Sequence, residues 1–173
     1  INAKLSGNDI DKIYGNVCVD NTKFTDSRGE YFMDTLNLAL TKNHFDSKDI
    51  KVSCDFFDVE VNGIFNFRNI GNSFKNYVMN HFHVNKWTDK GLRLNAEPQD
   101  FYVNLVLKNT ETLSRLLMPG LKVSENTSLT ATFTSSNYQL HSTLESEKIT
   151  YNKFIFNDLY VKNKTDKNKA TAN

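Results

Sequence analysis

Histidines are the side chains of this sequence that most directly suggest a metal site, and two of the four flank Phe82, as His81 and His83. On a helix, residues two positions apart do not face each other, so the pair could not bind one ion from a shared face. On a strand they would share a face, but no cysteine or carboxylate cluster completes the ligand set of a zinc site. We therefore predict neither a metal site nor a cofactor.

Paired carboxylates are the second chemistry that the spacing allows, because two neighbouring acids can hydrolyse glycosides. Asp55, Asp58 and Glu60 lie on the polar side of alternating stretches, where charges are normally solvated surface. The sequence contains neither a Gly-x-Ser-x-Gly nucleophile motif nor a glycine-rich phosphate loop. We predict no catalytic residue, and hence a protein that is not an enzyme.

The two cysteines are predicted to be free thiols. Cys54 shares its parity with Val52 on the apolar side, whereas Cys18 shares its parity with Asn16 and Asp20 on the polar side. A disulfide would have to bridge opposite faces, which its geometry resists.

Charge and hydropathy exclude two classes of protein. The 173 residues carry 21 basic and 20 acidic side chains, for a net charge of +1, with no basic stripe of the kind that binds nucleic acid. Mean hydropathy is −0.52, and no apolar run approaches the ~20 residues of a spanning helix. Because the chain opens with Ile1 inside an alternating pattern and without a secretory leader, we interpret it as a piece of a longer protein. We predict one β-rich segment over 1–162 and a disordered end over 163–173.

Alternation of apolar and polar side chains predicts a sheet, because successive strand side chains point to opposite faces. In VSCDFFDVEVNGIFNF, residues 52–67, the parity switches once at Phe56 and Phe57, which predicts a tight turn or a bulge. In the second strand, Phe32 is expected to share the apolar row of Leu36 and Leu38. The last segment, 148–162, is expected to hold two short strands. The other predicted strands are 12–24, 31–42, 49–55, 57–67, 100–109, 127–134 and 137–145.

Two helices are predicted to interrupt the strands. Apolar residues at helical spacing from Ile70 to Phe82 indicate an amphipathic helix over 70–83, whose apolar stripe must pack on the aromatic sheet face. The stretch NTETLSRLLMPG predicts a short helix over 110–118, which ends at the Pro-Gly pair.

Several strands place large apolar side chains on one face, and these residues form the candidate binding surface. Such rows can close on each other as the core of a sandwich or small barrel. They can also line an open, curled sheet whose concave face accepts acyl chains. Periodicity does not separate the two arrangements, because both bury the same rows. The candidates are Leu36, Leu38, Leu40, Phe57, Val59, Val61, Phe65, Phe67, Phe101, Val103, Leu105, Leu107, Leu129 and Phe133.

Three stretches follow an order of strands, turns and helices typical of a known family. They are GNVCVDNTKFTDSRGEYFMDTLNLAL, DIKVSCDFFDVEVNGIFNFRNIGNSFKNYV and FYVNLVLKNTETLSRLLMPGLKVSENTSLTATFTSSNYQLHSTLESEKITYNKFIFNDLYV, within residues 12–162. This order resembles the TamB family of AsmA-like proteins from Gram-negative bacteria. The resemblance implies a periplasmic protein, anchored in the inner membrane by a helix outside this chain, whose body is a sheet curled into an apolar trough. It also implies roles in phospholipid movement and outer-membrane assembly, with a TamA-type barrel engaged by parts outside this chain.

Together these features predict a mainly β fold: an elongated, curved antiparallel sheet or half-open barrel, with one amphipathic and one short helix. With the resemblance, they predict a non-catalytic section of a periplasmic lipid conduit whose groove binds phospholipid acyl chains. Gly63 is expected to relieve crowding where the sheet bends, and Phe65→Asp to abolish lipid retention without unfolding. The alternative is an assembly scaffold whose edge strands pair with a partner or with a second copy, the apolar rows being ordinary core. An adhesin-like sandwich is a third interpretation.

Overall fold

The computed structural model describes residues 1–26, 29–43, 46–81, 97–118, 120–166 and 169–172. Within these residues the chain forms eleven strands and two α-helices. In chain order they are β1 (Asn2–Ser6), β2 (Tyr14–Asp26), β3 (Gly29–Lys42), β4 (Lys48–Cys54), β5 (Phe57–Ile64), α1 (Ile70–His81), β6 (Asp100–Leu107), α2 (Thr110–Leu117), β7 (Leu121–Val123), β8 (Ser128–Thr134), β9 (Gln139–Tyr151), β10 (Phe154–Asp166) and β11 (Lys169–Ala172).

All the described strands belong to one antiparallel sheet, which is open and not closed into a barrel. Ten strands pair in the order β1-β2-β3-β4-β5-β6-β8-β9-β10-β11. The short strand β7 pairs with the end of β9 that β8 does not reach, from Ile149 to Tyr151. The predicted mainly β fold with an open antiparallel sheet is therefore confirmed.

The helices agree with the prediction, and the last strands differ from it. α1 covers Ile70–His81, and positions 82 and 83 of the predicted helix lie outside the described residues. The expected break between 145 and 148 is wrong, because β9 continues to Tyr151 and turns at Asn152, whose φ is 53°. Strand structure also extends through β10 and β11 into the segment for which we expected a disordered end.

A change of face within β2 and β3 corrects the predicted position of Phe32. Asn21 adopts a left-handed φ of 50° inside β2, opposite the middle of β3. On one side of this point Leu36 is half-buried, and on the other side Tyr31 is buried while Phe32 is 61% exposed. Asn tolerates the left-handed conformation better than most residues. The strand pair therefore switches its inward parity, and Phe32 faces away from the apolar row.

Gly63 of β5 lies where two strands approach closely. Its φ is +141°, and a Cβ atom there would lie 2.3 Å from the Asp100 carbonyl oxygen and 2.6 Å from the Phe101 Cα. We expect Gly63→Ala to lower the free energy of unfolding by about 1–3 kcal/mol, because both backbone strain and a backbone clash result. Urea denaturation measures this difference.

Gly71→Ala is the matched control for Gly63→Ala. Gly71 lies in α1, and a Cβ atom there would meet nothing within 4 Å. Alanine is the better helix former by about 1 kcal/mol, so this variant is expected to be neutral or more stable. Equal losses in both variants would show that close strand approach at Gly63 is not the cause.

Candidate functional site

One row of aliphatic side chains crosses the sheet perpendicular to its strands. Directly paired residues of antiparallel strands lie on the same face. Val17 pairs with Leu38, Leu38 with Val52, and Val52 with Val59. The same chain of pairs reaches β1 on one side and β10 on the other. This central row consists of Ala3, Val17, Leu38, Val52, Val59, Leu105, Leu129, Leu144 and Val161.

A second apolar row runs beside the central row on the same face. Leu40 pairs with Ile50, Ile50 with Val61, and Val61 with Val103. The row continues to Ala131 of β8. The two rows together line one face from β3 to β8, and we call this face the groove.

The opposite face carries charges that are paired as surface ion pairs. Lys51 Nζ lies 3.1 Å from Glu60 Oε1, and Lys108 Nζ lies 2.6 Å from Asp58 Oδ1. Hydrogen bonds from Lys108 and from the Ser53 hydroxyl hold the pKa of Asp58 below its ordinary value. A carboxyl with a lowered pKa stays ionised at neutral pH, so Asp58 is poorly suited to donate a proton as a general acid.

Asp55 does not share that polar face. Its carboxylate accepts hydrogen bonds from the backbone N–H groups of Asp34 and Thr35, at the point where β3 changes face. The Asp55 carboxylate therefore supports the change of parity, a structural role that the sequence pattern did not indicate.

The central row of the groove is only half-buried, whereas Ile50 of the second row is buried, as are several apolar residues near the two helices. From Val17 to Val161, each member of the central row retains intermediate exposure. Near α1, the buried residues are Phe65, Tyr77 and Phe133. Near α2, Tyr31 is 2% exposed. The residues buried near the helices thus lie beside the central row, which stays partly accessible.

Phe133 is the centre of the aromatic cluster that attaches α1 to the sheet. Its ring centroid lies 6.4 Å from that of Phe74, 6.0 Å from Tyr77 and 5.5 Å from Phe101. Phe65 joins the cluster through Phe101 at 5.7 Å and is only 4% exposed. Phe65 is therefore a core residue, and Phe65→Asp would test folding rather than lipid binding.

A partly buried ion pair closes the same end of the sheet. Lys48 Nζ lies 3.1 Å from Asp11 Oδ1, and it also donates a hydrogen bond to the Phe65 carbonyl at 2.6 Å. The side chains of Lys48 and Asp11 are 16% and 13% exposed. The Lys48 ammonium also lies 5.3 Å from the Phe67 ring centroid. Asp11 accepts from the Phe67 backbone N–H at 2.6 Å. The pair fixes the 3-10 helix at Ile10–Lys12 against the segment that follows β5.

The α2 end of the groove contains a cavity of about 580 Å³. The guanidinium carbon of Arg115 lies 5.3 Å from the centroid of the Tyr31 ring, which stacks at 5.6 Å on Phe24. The Thr110 hydroxyl donates to the Val123 carbonyl and joins α2 to β7. The lining residues are Tyr31, Thr110, Glu111, Ser114, Arg115, Gly120, Leu121, Lys122 and Val123.

The described histidines and cysteines do not assemble a reactive centre. His81 Nδ1 lies 3.1 Å from the Tyr77 carbonyl oxygen of its own helix, whereas His83 lies outside the described residues. Both cysteines are free. A hydrogen bond to Asp20 raises the pKa of the Cys18 thiol, which disfavours the reactive thiolate. No group of three or more potential metal ligands occurs in the described part of the chain.

The structure brings most of the fourteen predicted groove residues to one face, and adds others that sequence reasoning missed. Eleven of the fourteen are half-buried, Phe65 and Phe133 are buried, and Phe67 is 37% exposed. Phe65 and Phe67 follow the end of β5 and do not extend its row. The missed members of the central row are Ala3, Val17, Val52, Leu144 and Val161. Lys48, Tyr31 and Arg115 were also missed, because their roles depend on contacts between distant segments.

Among the described helices, none is both long and apolar enough to cross a membrane. No protein-family model matches the chain, and comparisons with curated proteins and with solved structures find no match.

Proposed function

We propose that this chain is a non-catalytic section of a periplasmic lipid-conduit protein of the TamB type, and that its groove binds phospholipid acyl chains. The observation that carries the proposal is the central row, in which nine consecutive pairing positions hold aliphatic side chains, none of them fully buried. Apolar surface that its own chain leaves half-exposed is a common mark of a binding site.

The dimensions of the row suit an acyl chain. Strands are spaced about 4.8 Å apart, so a row across nine strands is about 38 Å long. An acyl chain spans the hydrocarbon of one leaflet, which is about 15 Å thick, or half of the ~30 Å core of a bilayer. The row is therefore longer than one acyl chain.

The test is lipid retention after incubation with phospholipid vesicles and repurification, measured by native mass spectrometry. We expect the wild-type chain to carry phospholipid and Val52→Thr/Val59→Thr to carry at least tenfold less. Threonine keeps the branched, strand-favouring shape, but each hydroxyl placed against an acyl chain costs about 1–3 kcal/mol. A tenfold loss of affinity corresponds to about 1.4 kcal/mol.

Thr130→Val/Thr143→Val is the control, since this cross-strand pair lies on the opposite face. It makes the reverse exchange and is expected to leave lipid retention unchanged. Thermal unfolding of both variants checks that neither loses its fold. Lipid absent from the wild type, or lost equally in both variants, would contradict the groove proposal.

A second candidate function is assembly through a sheet edge, which one specific observation favours. β11 pairs only with residues 163–166 of β10, so the described strands leave the first part of β10 unpaired on one side. Phe154, Ile155 and Tyr160 in that part are 67%, 58% and 55% exposed. Exposed apolar edges pair readily with another strand. Lipid-free dimers in the same mass spectra would favour this function over the lipid conduit.

A further inference from the structure

A third row of side chains lies on the other side of the central row. Leu36 pairs with Cys54, and Phe57 pairs with Leu107. Each of these residues is two positions from a member of the central row, so its side chain points to the same face. From β3 to β6, the central row is therefore flanked by apolar side chains on both sides, by the second row on one side and by the third row on the other.

Beyond β8, the second row becomes polar. Ala131 pairs with Ser142 of β9, and Ser142 pairs with Asn163 of β10. Both polar residues are half-buried. Asn163 Nδ2 donates to the Leu140 carbonyl at 3.2 Å, and this bond uses one of the two N–H groups of the amide. On this side, the groove face carries hydrogen-bonding groups at β9 and β10 in place of aliphatic side chains.

The third row changes at the same end of the sheet. Thr127 and Ser146 continue it, because they lie two positions from Leu129 and Leu144 of the central row. Both residues are buried, and their hydroxyl oxygens lie 2.7 Å from each other and within 3.3 Å of the Ser124 hydroxyl. These hydroxyls are satisfied within the chain, so they are not ligands for a bound molecule. They do show that this flank offers no apolar surface at β8 and β9.

The groove face therefore has two sections of different chemistry. From β3 to β6 it is apolar on both flanks, whereas at β9 and β10 the central row, as Leu144 and Val161, runs between polar flanks. A phospholipid has the same order along its length, since its acyl chains are followed by glycerol esters whose carbonyl oxygens accept hydrogen bonds. An ester oxygen placed among aliphatic side chains has no partner, which is unfavourable. The match favours one direction of binding over the other.

The length of the apolar section suits this direction. Four strand spacings of about 4.8 Å separate β3 from β8, which gives about 19 Å. An acyl chain spans about 15 Å in one leaflet, or about three strand spacings. An ester at β9 therefore places the end of the acyl chain near β5, inside the apolar section.

We propose that a phospholipid lies in the groove in one direction, with its acyl chain ends over β4 and β5 and its glycerol esters at β9 and β10. Ser142 and Asn163 donate hydrogen bonds to the ester carbonyl oxygens. This inference rests on the proposed lipid function, and it adds the direction of the lipid and the residues that recognise its ester region.

The test uses two photoactivatable phosphatidylcholines, which carry a diazirine either on the terminal carbon of an acyl chain or on the carbon next to its ester. After incubation, repurification and illumination, mass spectrometry of peptides locates the cross-links, and native mass spectrometry measures the retained lipid. We expect the terminal label to cross-link at least about tenfold more to β4 and β5 than to β9 and β10, and the ester-side label to show the reverse preference. Equal cross-linking at both ends, or the opposite distribution, would overturn the direction.

Ser142→Val tests whether the polar flank sets the direction. Valine suits a strand, and it extends the apolar second row from Ala131 onto β9. We expect the variant to retain as much lipid as the wild type, while the preference of each label falls to about threefold or less. An unchanged preference would show that Ser142 does not recognise the ester region.

Thr143→Val is the matched control, because Thr143 is the next residue of the same strand and lies on the opposite face, where it pairs with Thr130. It is expected to keep both the lipid and the preference of each label, and thermal unfolding checks that both variants stay folded. A loss of preference in Thr143→Val equal to that in Ser142→Val would contradict the assignment. Lipid retained without a preferred direction leaves the groove proposal intact, whereas a wild-type chain that neither retains nor cross-links lipid refutes the proposed function as well.

Discussion

Phe133→Ala is expected to lower the free energy of unfolding by about 3–5 kcal/mol, the usual cost of removing a large buried aromatic side chain. Phe133 is 3% exposed and contacts the rings of Phe74, Tyr77 and Phe101. Its loss removes the main aromatic contact between α1 and the sheet. Because a domain of this size has only about 5–15 kcal/mol of stability, the variant is expected to be marginally folded.

Urea denaturation followed by circular dichroism measures this effect, and Phe154→Ala is its control. Phe154 is the same residue type on the same sheet, but its side chain is 67% exposed. Exposed substitutions usually change stability by less than about 0.5 kcal/mol. Comparable losses in the two variants would show that α1 does not depend on the Phe133 cluster.

The faces of the strands could be predicted from alternation wherever the backbone stays regular. In β5 and β6, every second residue from Phe57 to Val61 and from Phe101 to Leu107 is on the predicted side. The regular pattern works because the side-chain period of a strand is two. It fails in β3, where Asn21 on the neighbouring strand changes the parity that Phe32 was assumed to keep. A single left-handed residue is a weak sequence signal, since Asn also occurs in many regular positions.

The turn between β9 and β10 had a local signal that the prediction did not use. Asn152 and Lys153 separate two runs of strand-forming residues, and Asn at the first position of a two-residue turn favours positive φ. A strand that continues through polar residues such as Ser146 and Lys148 does not show a clean alternation. The predicted break therefore fell too early in the chain.

The central row could be predicted only in part, because its membership depends on register between strands. Leu38, Val59 and Leu105 were expected in apolar rows, but nothing in the sequence says that they align across the sheet. Val52 and Leu144 lie in strands whose apolar runs are short or mixed with serine and threonine. The cavity at α2 was beyond prediction for a stronger reason. It brings Tyr31 near Arg115 although the two residues are far apart in the chain.

Lys48→Met is the second substitution with a large expected effect, because it leaves the Asp11 carboxylate partly buried without its counterion. Removing one partner of a buried ion pair lowers the free energy of unfolding by about 3–5 kcal/mol, mainly because the other charge stays buried without a counterion. Lys48 and Asp11 are 16% and 13% exposed, so we expect a loss of about 3 kcal/mol in urea denaturation. Lys51→Met is the surface control, since Lys51 is 58% exposed and its pair with Glu60 is worth less than about 1 kcal/mol.

Adding Asp11→Asn to Lys48→Met tests whether the uncompensated charge is the cause. Asparagine keeps an oxygen that can accept from the Phe67 N–H, which Asp11 binds at 2.6 Å, but it carries no charge. The double variant is therefore expected to be more stable than Lys48→Met alone, by roughly 1–2 kcal/mol as for coupled neighbours. If the stability losses of the two substitutions are instead additive, the Lys48 ammonium stabilises the fold through its contacts with Phe65 and Phe67 and not through Asp11. In that case the end of the sheet is held by packing and a hydrogen bond, and the ion pair contributes little.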